Sequence, residues 1–264
     1  MVVEREPELF DDAGIEAALP DQHDRVQVVA ETPQVFFLPL AERHRRIIGA
    51  AARRPRLSRR SKSSGRWLEE HFSDPFVKRA QGEGLRSRAA FKLEEIDLAE
   101  RLISPGAVIV DLGAAPGGWS QYAARRLRGQ GRVFALDLLP MDAIAGVDFL
   151  QGDFREQAVL ERLLAELGDA RADLVLSDMA PNISGVDVVD QARAADLEAL
   201  ALDFALGTLG AKGVLVMKVF QGAGFQELLA RARRSFRQVR MRKPKASRQR
   251  SSETYLVARD PRPV

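Results

Sequence analysis

The chain has 264 residues, which is enough for one large domain or for a smaller domain with a tail. It contains no cysteine and only three histidines, so it offers no disulfide, thiolate zinc site or cysteine nucleophile, and we predict no metal site. Its apolar runs are far shorter than the roughly 20 residues that cross a bilayer, and its first residues are acidic rather than signal-like. We expect a cytoplasmic protein that does not bind a membrane.

Charge is distributed unevenly along the chain, although the net charge is only +3. Residues 1–25 carry eight acidic and two basic side chains, whereas residues 43–62 carry nine basic side chains and no acidic one. Residues 231–250, which we call the basic block, carry ten basic side chains and no acidic one. Such clusters are typical of surfaces that bind nucleic acid phosphates, although ordinary solvated surfaces also contain them.

Residues 1–57 are predicted to be a disordered tail, or a stretch upstream of a misassigned start, because they lack a regular apolar pattern. Residues 58–264 are predicted to form the folded domain. Within it, residues 87–101 have the spacing of an amphipathic helix that ends before a turn at residues 104–106. The apolar side chains at this spacing are Ala90, Phe91, Leu93, Ile96, Leu98 and Leu102.

Beyond this turn, short apolar runs alternate with helical segments, which is typical of parallel strands joined by crossover helices. The predicted strands contain residues 108–110, 133–136, 174–176 and 214–217, and the predicted helices are 120–127, 156–167 and 192–209. Two further strands are predicted at 238–242 and 254–258. The fold class is therefore α/β, with a mostly parallel sheet and helices on both faces.

The first predicted strand leads into a loop of small residues, Asp111 to Trp119. Gly117 and Gly118 allow backbone conformations and close approaches that other residues do not. The loop lacks the G-x-G-x-x-G spacing of dinucleotide-binding proteins, and Pro116 removes a backbone amide. This pattern argues against a nicotinamide-dependent oxidoreductase.

Acidic side chains follow the next two predicted strands. Asp137 stands where a carboxylate can accept hydrogen bonds from both hydroxyls of an adenosine ribose. Asp153 could accept a hydrogen bond from an adenine amino group, or it could simply cap a turn. Asp178 and Lys218 follow two later strands. Because the carboxyl ends of parallel strands share one edge, we expect these polar groups to face one crevice.

Several long motifs together resemble the FtsJ/RrmJ family of methyltransferases, over residues 59–260. The motifs are Gly84 to Ala89, Asp111 to Trp119, Asp137 to Asp142, Gln151 to Phe154, Ser177 to Asn182 and Lys218 to Gly222. The resemblance implies a Rossmann-like class I fold with seven strands. It also implies S-adenosylmethionine as the cofactor and the ribose 2′-hydroxyl of a uridine in 23S ribosomal RNA as the substrate.

The resemblance also implies site residues. The catalytic tetrad of the family corresponds to Lys92, Asp178, Lys218 and Glu253 in this sequence. The cofactor contacts correspond to Gly117, Trp119, Asp137, Asp153 and Asp178. On spacing alone, Lys92 and Glu253 would be taken for solvated side chains and Trp119 for a core residue, so their predicted roles depend on the resemblance.

Lys218 is the candidate base for the hydroxyl proton, but an ordinary lysine is protonated at neutral pH. Burial, the cofactor sulfonium and Lys92 would favour the neutral amine, whereas Asp178 and Glu253 would favour the charged one. A charged Lys218 that only orients the hydroxyl oxygen is the alternative.

The expected partner is large-subunit ribosomal RNA within the 50S subunit, bound by a monomer that does not bind DNA. The basic block, together with Arg59, Arg60, Lys62, Arg86 and Arg88, is predicted to contact the RNA backbone. One alternative is a transfer-RNA ribose methyltransferase of the same family. Another is a noncatalytic RNA-binding factor in ribosome assembly, although the tetrad and the cofactor loop look complete.

Overall fold

A computed structural model describes residues 74–182, 184–222, 224–248 and 251–263 of the chain. The predictions for residues 1–57 and for Arg59, Arg60 and Lys62 lie outside this range. The helices are α1 Pro75–Gly82, α2 Ala89–Glu100, α3 Gly118–Leu127, α4 Gln157–Leu167, α5 Asp187–Thr208 and α6 Phe225–Ser235. The strands are β1 Val108–Leu112, β2 Arg132–Asp137, β3 Val147–Gln151, β4 Ala172–Ser177, β5 Leu209–Phe220, β6 Phe236–Arg242 and β7 Glu253–Pro261.

The seven strands form one sheet in the order β3-β2-β1-β4-β5-β7-β6. The pairs among β1 to β5 are parallel, and β7 runs antiparallel to both β5 and β6. The predicted Rossmann-like, mostly parallel sheet is therefore confirmed, as are the two additional strands at its end, β6 and β7, which we call the closing strands. No described helix is long and apolar enough to span a membrane.

The strand order reverses between β1 and β4, so the loops that follow these two strands diverge and leave a crevice at the carboxyl edge. The loop of small residues that leads to Trp119, which we call the glycine loop, follows β1, and Asp178 follows β4. β5 extends beyond β4 at this edge, because the last β4–β5 pair is Ser177 with Met217, whereas β5 continues to Phe220. The topology thus places the glycine loop, Asp178 and Lys218 at one edge of the sheet.

The apolar face predicted for α2 is partly wrong. Leu98 is 70% exposed, whereas the neighbouring Asp97 is only 1% exposed. One carboxylate oxygen of Asp97 accepts hydrogen bonds from the backbone amides of Leu102 and Ile103, at 2.9 and 3.0 Å, and the other accepts from the Tyr122 hydroxyl at 2.8 Å. A polar side chain occupies the inward position because it binds the backbone that follows the helix.

Glu100, in the last turn of α2, anchors this helix to the two closing strands. Its side chain is 2% exposed and forms ion pairs with Arg240 of β6 at 3.3 Å, with Arg242 of β6, and with Arg259 of β7 at 3.6 Å. A buried carboxylate is tolerated when cations and hydrogen bonds surround it. The contacts fix α2, which carries Lys92, relative to β7, which carries Glu253.

Glu100→Gln is expected to lower the free energy of unfolding by about 2 kcal/mol, because it weakens the charge-assisted hydrogen bonds from Arg240 and Arg242 and the ion pair with Arg259. Urea unfolding followed by circular dichroism measures the change. Glu166→Gln, at an exposed position on α4, is the control and should change the value little. Equal stability of Glu100→Gln and the wild-type protein would show that the arginines do not depend on this carboxylate.

Candidate active site

Lys218 and Asp178 meet at the carboxyl edge of the sheet. The Lys218 amine lies 3.1 Å from Oδ1 of Asp178 and donates a hydrogen bond to the backbone carbonyl of Asp178 at 2.5 Å. Lys218 is buried, with 8% exposure. The two side chains reach each other because β4 ends beside Met217 and leaves Lys218, the next residue of β5, facing the loop after β4.

Lys92 and Glu253 form a second ion pair, with 2.8 Å between the amine and Oε1. Lys92 belongs to α2 and Glu253 begins β7, so the pair joins two elements that are distant in sequence. Both side chains are largely shielded from solvent, with exposures of 11% and 14%. The structure therefore brings all four residues of the predicted tetrad into two ion pairs.

Tyr255 connects these two ion pairs, and sequence reasoning missed it. Its hydroxyl accepts a hydrogen bond from the Lys92 amine at 3.0 Å and donates one to Oδ1 of Asp178 at 2.9 Å. Burial raises the pKa of the Tyr255 phenol far above its usual range, and the charges of Asp178 and Glu253 raise it further. The hydroxyl therefore stays protonated. Its position two residues after Glu253 was the available signal, because alternate strand residues share a face.

Asp137, at the end of β2, lies beside the glycine loop as predicted from the sheet pattern. Oδ2 of Asp137 accepts a hydrogen bond from the Ala115 amide at 2.8 Å, and Oδ1 accepts one from the Leu139 amide at 2.8 Å. A carboxylate has about four acceptor positions, so two remain for a ligand. Asp137 therefore fixes the loop and keeps acceptor capacity for ribose hydroxyls.

Asp153 makes the contacts of a turn-capping residue. Its Oδ1 accepts a hydrogen bond from the backbone amide of Arg155 at 3.0 Å, and its Oδ2 pairs with the Arg155 guanidinium at 2.6 Å. The hydrogen bonds from Arg155 lower the pKa of Asp153, although partial burial opposes this shift. The predicted adenine contact is an additional role that these bonds do not require, and it stays a prediction.

Trp119 is buried, with 2% exposure, and its indole nitrogen donates a hydrogen bond to the carbonyl of Ala89 at 2.8 Å. Its ring packs against Tyr255, with 5.7 Å between the ring centroids. These are the contacts of a core residue that supports Tyr255 from behind. The predicted contact between Trp119 and the cofactor stays a prediction.

Gly117 and Gly118 allow close packing around the start of α3. A Cβ atom on Gly117, which has φ of 102°, would lie 2.8 Å from the side chains of Met141 and Ile144. A Cβ atom on Gly118 would lie 2.2 Å from Oγ of Ser87. Gly117 is required mainly by its left-handed φ, which other residues rarely adopt, whereas a larger residue at Gly118 would displace the Ser87 side chain.

Asp111, at the end of β1, is fully buried beneath the glycine loop. Its Oδ2 accepts a hydrogen bond from the Ser120 hydroxyl at 2.6 Å. Its Oδ1 has no hydrogen-bond partner within the described part of the chain. Burial raises the pKa of Asp111 to about 7, while the Ser120 hydrogen bond acts in the opposite direction. An acceptor thus lies just below the loop that we assigned to the cofactor.

Many of the cations predicted to contact RNA instead bind the protein itself. The Arg86 guanidinium donates to the carbonyl oxygens of Asp142 and Ala143, both at 2.7 Å. Arg88 pairs with Asp74 and also donates to the carbonyl of Ala246. Both arginines therefore hold loops near the crevice, and fewer of their donors are available for phosphates than we expected.

In the basic block, too, several cations bind the protein itself, while others have no side-chain partner in the described part of the chain. Arg231 pairs with Asp203, Arg240 and Arg242 pair with Glu100, and Lys243 donates to two backbone carbonyls. Three exposed arginines have no side-chain partner among the described residues. These are Arg233, Arg234 and Arg237. Only part of the block is therefore free to bind an anionic surface.

Comparison with known proteins gives a family match. A model of the FtsJ-like methyltransferase family matches residues 85–261. The chain is 57% identical over 203 residues to the ribosomal RNA large subunit methyltransferase E of Xanthomonas campestris pv. campestris (strain B100), covering 77% of this chain and 97% of that protein. It is 56% identical over 200 residues to the protein of the same name from Legionella pneumophila (strain Paris), covering 76% and 97%.

A solved structure is also similar. A chain described as a ribosomal RNA methyltransferase from Plasmodium falciparum superposes with a TM-score of 0.60 at 28% sequence identity. The match covers 66% of this chain and 97% of the other. The family match, residues 85–261, includes all seven strands and the four residues of the predicted tetrad.

Asp111→Asn is expected to flatten the dependence of stability on pH. Because the pKa of Asp111 in the folded state, about 7, lies above its usual value of 3.8, its contribution to stability is full below about pH 4 and is lost as the pH rises through about 7. Between pH 5 and 8 the free energy of unfolding of the wild type should fall by about 3 kcal/mol relative to the variant.

Urea unfolding of both proteins at several pH values measures this difference. Parallel stability curves for the wild type and Asp111→Asn would show that the Asp111 carboxyl ionises normally in the folded protein.

Proposed function

Because this chain belongs to the FtsJ-like methyltransferase family, we propose that it transfers a methyl group from S-adenosylmethionine to the ribose 2′-hydroxyl of a uridine in large-subunit ribosomal RNA. The observation that carries the proposal is the connection of Lys92, Asp178, Lys218 and Glu253 through Tyr255. The names of the relatives support the RNA substrate.

The residues around the glycine loop fit S-adenosylmethionine. We assign the ribose hydroxyls of its adenosine to Asp137, whose carboxylate is held beside the loop and keeps free acceptor positions. The buried oxygen of Asp111, which has no hydrogen-bond partner among the described residues, adds a polar atom beneath this side of the crevice. Gly117 at the start of α3 keeps side chains out of the loop, as a ligand that lies against the backbone requires.

When bound, S-adenosylmethionine supplies an electrophilic methyl group on a positively charged sulfur. The protein must align the ribose oxygen with this methyl group and accept the hydroxyl proton. We assign both tasks to Lys218, whose amine is buried at the carboxyl edge and held by Asp178 through a side-chain oxygen and a carbonyl oxygen. Fixed in this way, the amine needs little reorganisation before the reaction.

Lys92, Glu253 and Tyr255 are assigned to positioning and charge balance. Glu253 neutralises Lys92 at 2.8 Å. The Tyr255 hydroxyl forms hydrogen bonds with both Lys92 and Asp178, so it fixes these two side chains relative to each other. In a site of low dielectric, an unpaired positive charge next to a cationic sulfur would be unfavourable. With both lysines protonated, the two lysines and two carboxylates carry no net charge. Lys218 must give up a proton before it can accept the one from the hydroxyl, and this leaves a net negative charge that favours a cationic sulfur beside it.

The RNA substrate is proposed to lie across the crevice, with its backbone held by exposed cations. Arg233, Arg234 and Arg237 supply charge on the α6 and β6 side. Such contacts position an RNA strand without reading its sequence. The structured environment of the 50S subunit would then select the nucleotide. Cytoplasmic location and a monomeric state stay predictions.

Asp137→Ala is expected to weaken cofactor binding roughly tenfold or more, since it removes the proposed ribose acceptor and the hydrogen bond that holds the Ala115 amide of the glycine loop. Isothermal titration with S-adenosylhomocysteine measures the dissociation constant. Asp169→Ala, at an exposed loop position, is the matched control. Unchanged affinity in the Asp137 variant would remove the proposed ribose contact.

Lys218→Ala is expected to reduce methyl transfer at least about 100-fold while leaving cofactor affinity nearly unchanged, because a group that accepts the proton acts mainly in the transition state. Lys218→Arg keeps a positive charge but cannot accept a proton, so it should be similarly inactive. Transfer of tritiated methyl groups to purified large ribosomal subunits measures the rate.

Lys212→Ala, an exposed lysine of the same strand, should retain full activity. An active Lys218→Arg enzyme would favour the charged, orienting role over proton acceptance, and an active Lys218→Ala enzyme would contradict both. Free transfer RNA is tested in parallel, and faster methylation of transfer RNA than of large subunits would contradict the proposed substrate.

A further inference from the structure

Glu198 is a buried carboxylate that the proposed mechanism does not use. It lies in the middle of the buried stripe of α5, between Ala194 and the pair Ala201 and Leu202, where helical spacing calls for an apolar residue. Its exposure is only 7%. A carboxylate is unfavourable in such a position unless it binds a specific partner.

The partner of Glu198 is the end of β5. Oε1 of Glu198 accepts a hydrogen bond from the backbone amide of Phe220 at 2.9 Å. Burial raises the pKa of Glu198 to about 7, and the Phe220 hydrogen bond and the positive charge of Lys218 both oppose this rise. Glu198 is therefore close enough to Lys218 for their charges to interact.

The position of Phe220 explains why this hydrogen bond is needed. β5 pairs with β4 only as far as Met217, whereas its pairing with β7 continues to Phe220 opposite Glu253. Residues 218–220 are therefore supported by a neighbouring strand on one side only. The Phe220 amide is bound by Glu198 rather than by β7, so it points toward the side that β4 has left. Glu198 supplies the acceptor that the missing strand would have provided.

The segment that Glu198 supports carries the proposed active site. Lys218 belongs to it and is paired with Tyr255 of β7, and Phe220 is paired with Glu253. Other residues of α5 lie along the next part of the chain. A Cβ atom on Gly222 would lie 3.0 Å from the Gln191 side chain, and one on Gly224 would lie 3.4 Å from the Ala195 side chain. The first half of α5 thus packs along the segment that extends from β5.

We propose that Glu198 is a positioning residue for methyl transfer: by binding the Phe220 amide, it holds the unsupported end of β5 so that Lys218 stays at Asp178 and Glu253 stays at Lys92. This inference rests on the function proposed for Lys218. Helix α5 would then hold the end of β5 at the place where β4 no longer pairs with it. An apolar residue at position 198 would leave the Phe220 amide without an acceptor.

Glu198→Ala is expected to reduce kcat roughly tenfold, with KM for large ribosomal subunits and the dissociation constant of S-adenosylhomocysteine within about twofold of wild type. Glu198→Gln keeps the Oε1 acceptor, so it should restore kcat to within about threefold of wild type. Hydrogen–deuterium exchange of the Phe220 amide should be faster in Glu198→Ala and normal in Glu198→Gln.

Two variants of α5 serve as controls. Asp196→Ala, at an exposed position, should behave as wild type. Leu202→Ala weakens the packing of the same helix but keeps the acceptor, so its kcat should exceed that of Glu198→Ala at equal loss of thermal stability. If Leu202→Ala lowers kcat equally, Glu198 acts only through general stability and the inference is overturned.

The outcomes separate this inference from the function on which it rests. Full activity of Glu198→Ala together with an inactive Lys218→Ala would overturn the positioning role and leave the proposed function intact. Full activity of Lys218→Ala would remove the role of Lys218 on which this inference rests. Absence of methyl transfer by the wild-type protein would overturn the proposed function itself, whatever the exchange rate of the Phe220 amide.

Discussion

The hydroxyl of Tyr255 lies between the amine of Lys92 and the carboxylate of Asp178, and the arrangement of the site depends on these two hydrogen bonds. Lys92 comes from α2 and Asp178 from the loop after β4, so neither reaches the other through local structure. Tyr255, in the strand beside β5, forms a hydrogen bond with each of them. Its ring is fixed against Trp119, so the hydroxyl has little freedom to move away.

Burying this many charges is unfavourable unless each one is matched, and the protein matches them by geometry. Lys92 has Glu253, Lys218 has Asp178, and Glu100 has arginines from both closing strands. The ion pairs of Lys92 and Glu100 therefore join α2 to the closing strands β6 and β7. The same contacts that neutralise the charges also fix α2 relative to β7, so electrostatic balance and active-site geometry have a common origin.

The sequence predicted the sheet well because buried parallel strands are short apolar runs, and polar residues directly after them lie at one edge. That reasoning placed Asp137, Asp178 and Lys218 at one edge of the sheet, where the structure also has them. It could not place Lys92 or Glu253, which lie on a preceding helix and an antiparallel strand, and their grouping was expected only from the family resemblance.

Other features depend on contacts that a single sequence does not show. Leu98 was expected to be buried and is exposed, because Asp97 binds the backbone after α2. The basic block looked like a uniform RNA-binding surface, but several of its arginines pair with distant carboxylates such as Asp203 and Glu100. Glu198 is visible in the sequence as a break in an apolar stripe, yet its partner is a backbone amide and leaves no sequence signal.

A crystal structure of the protein with S-adenosylhomocysteine tests the central claim most directly. We predict that the ribose hydroxyls lie at Asp137, that the sulfur lies on the side of the crevice formed by Asp178 and Lys218, and that the Tyr255 hydroxyl still joins Lys92 to Asp178. A ligand bound elsewhere, or a Lys218 amine directed away from the sulfur, would contradict this account.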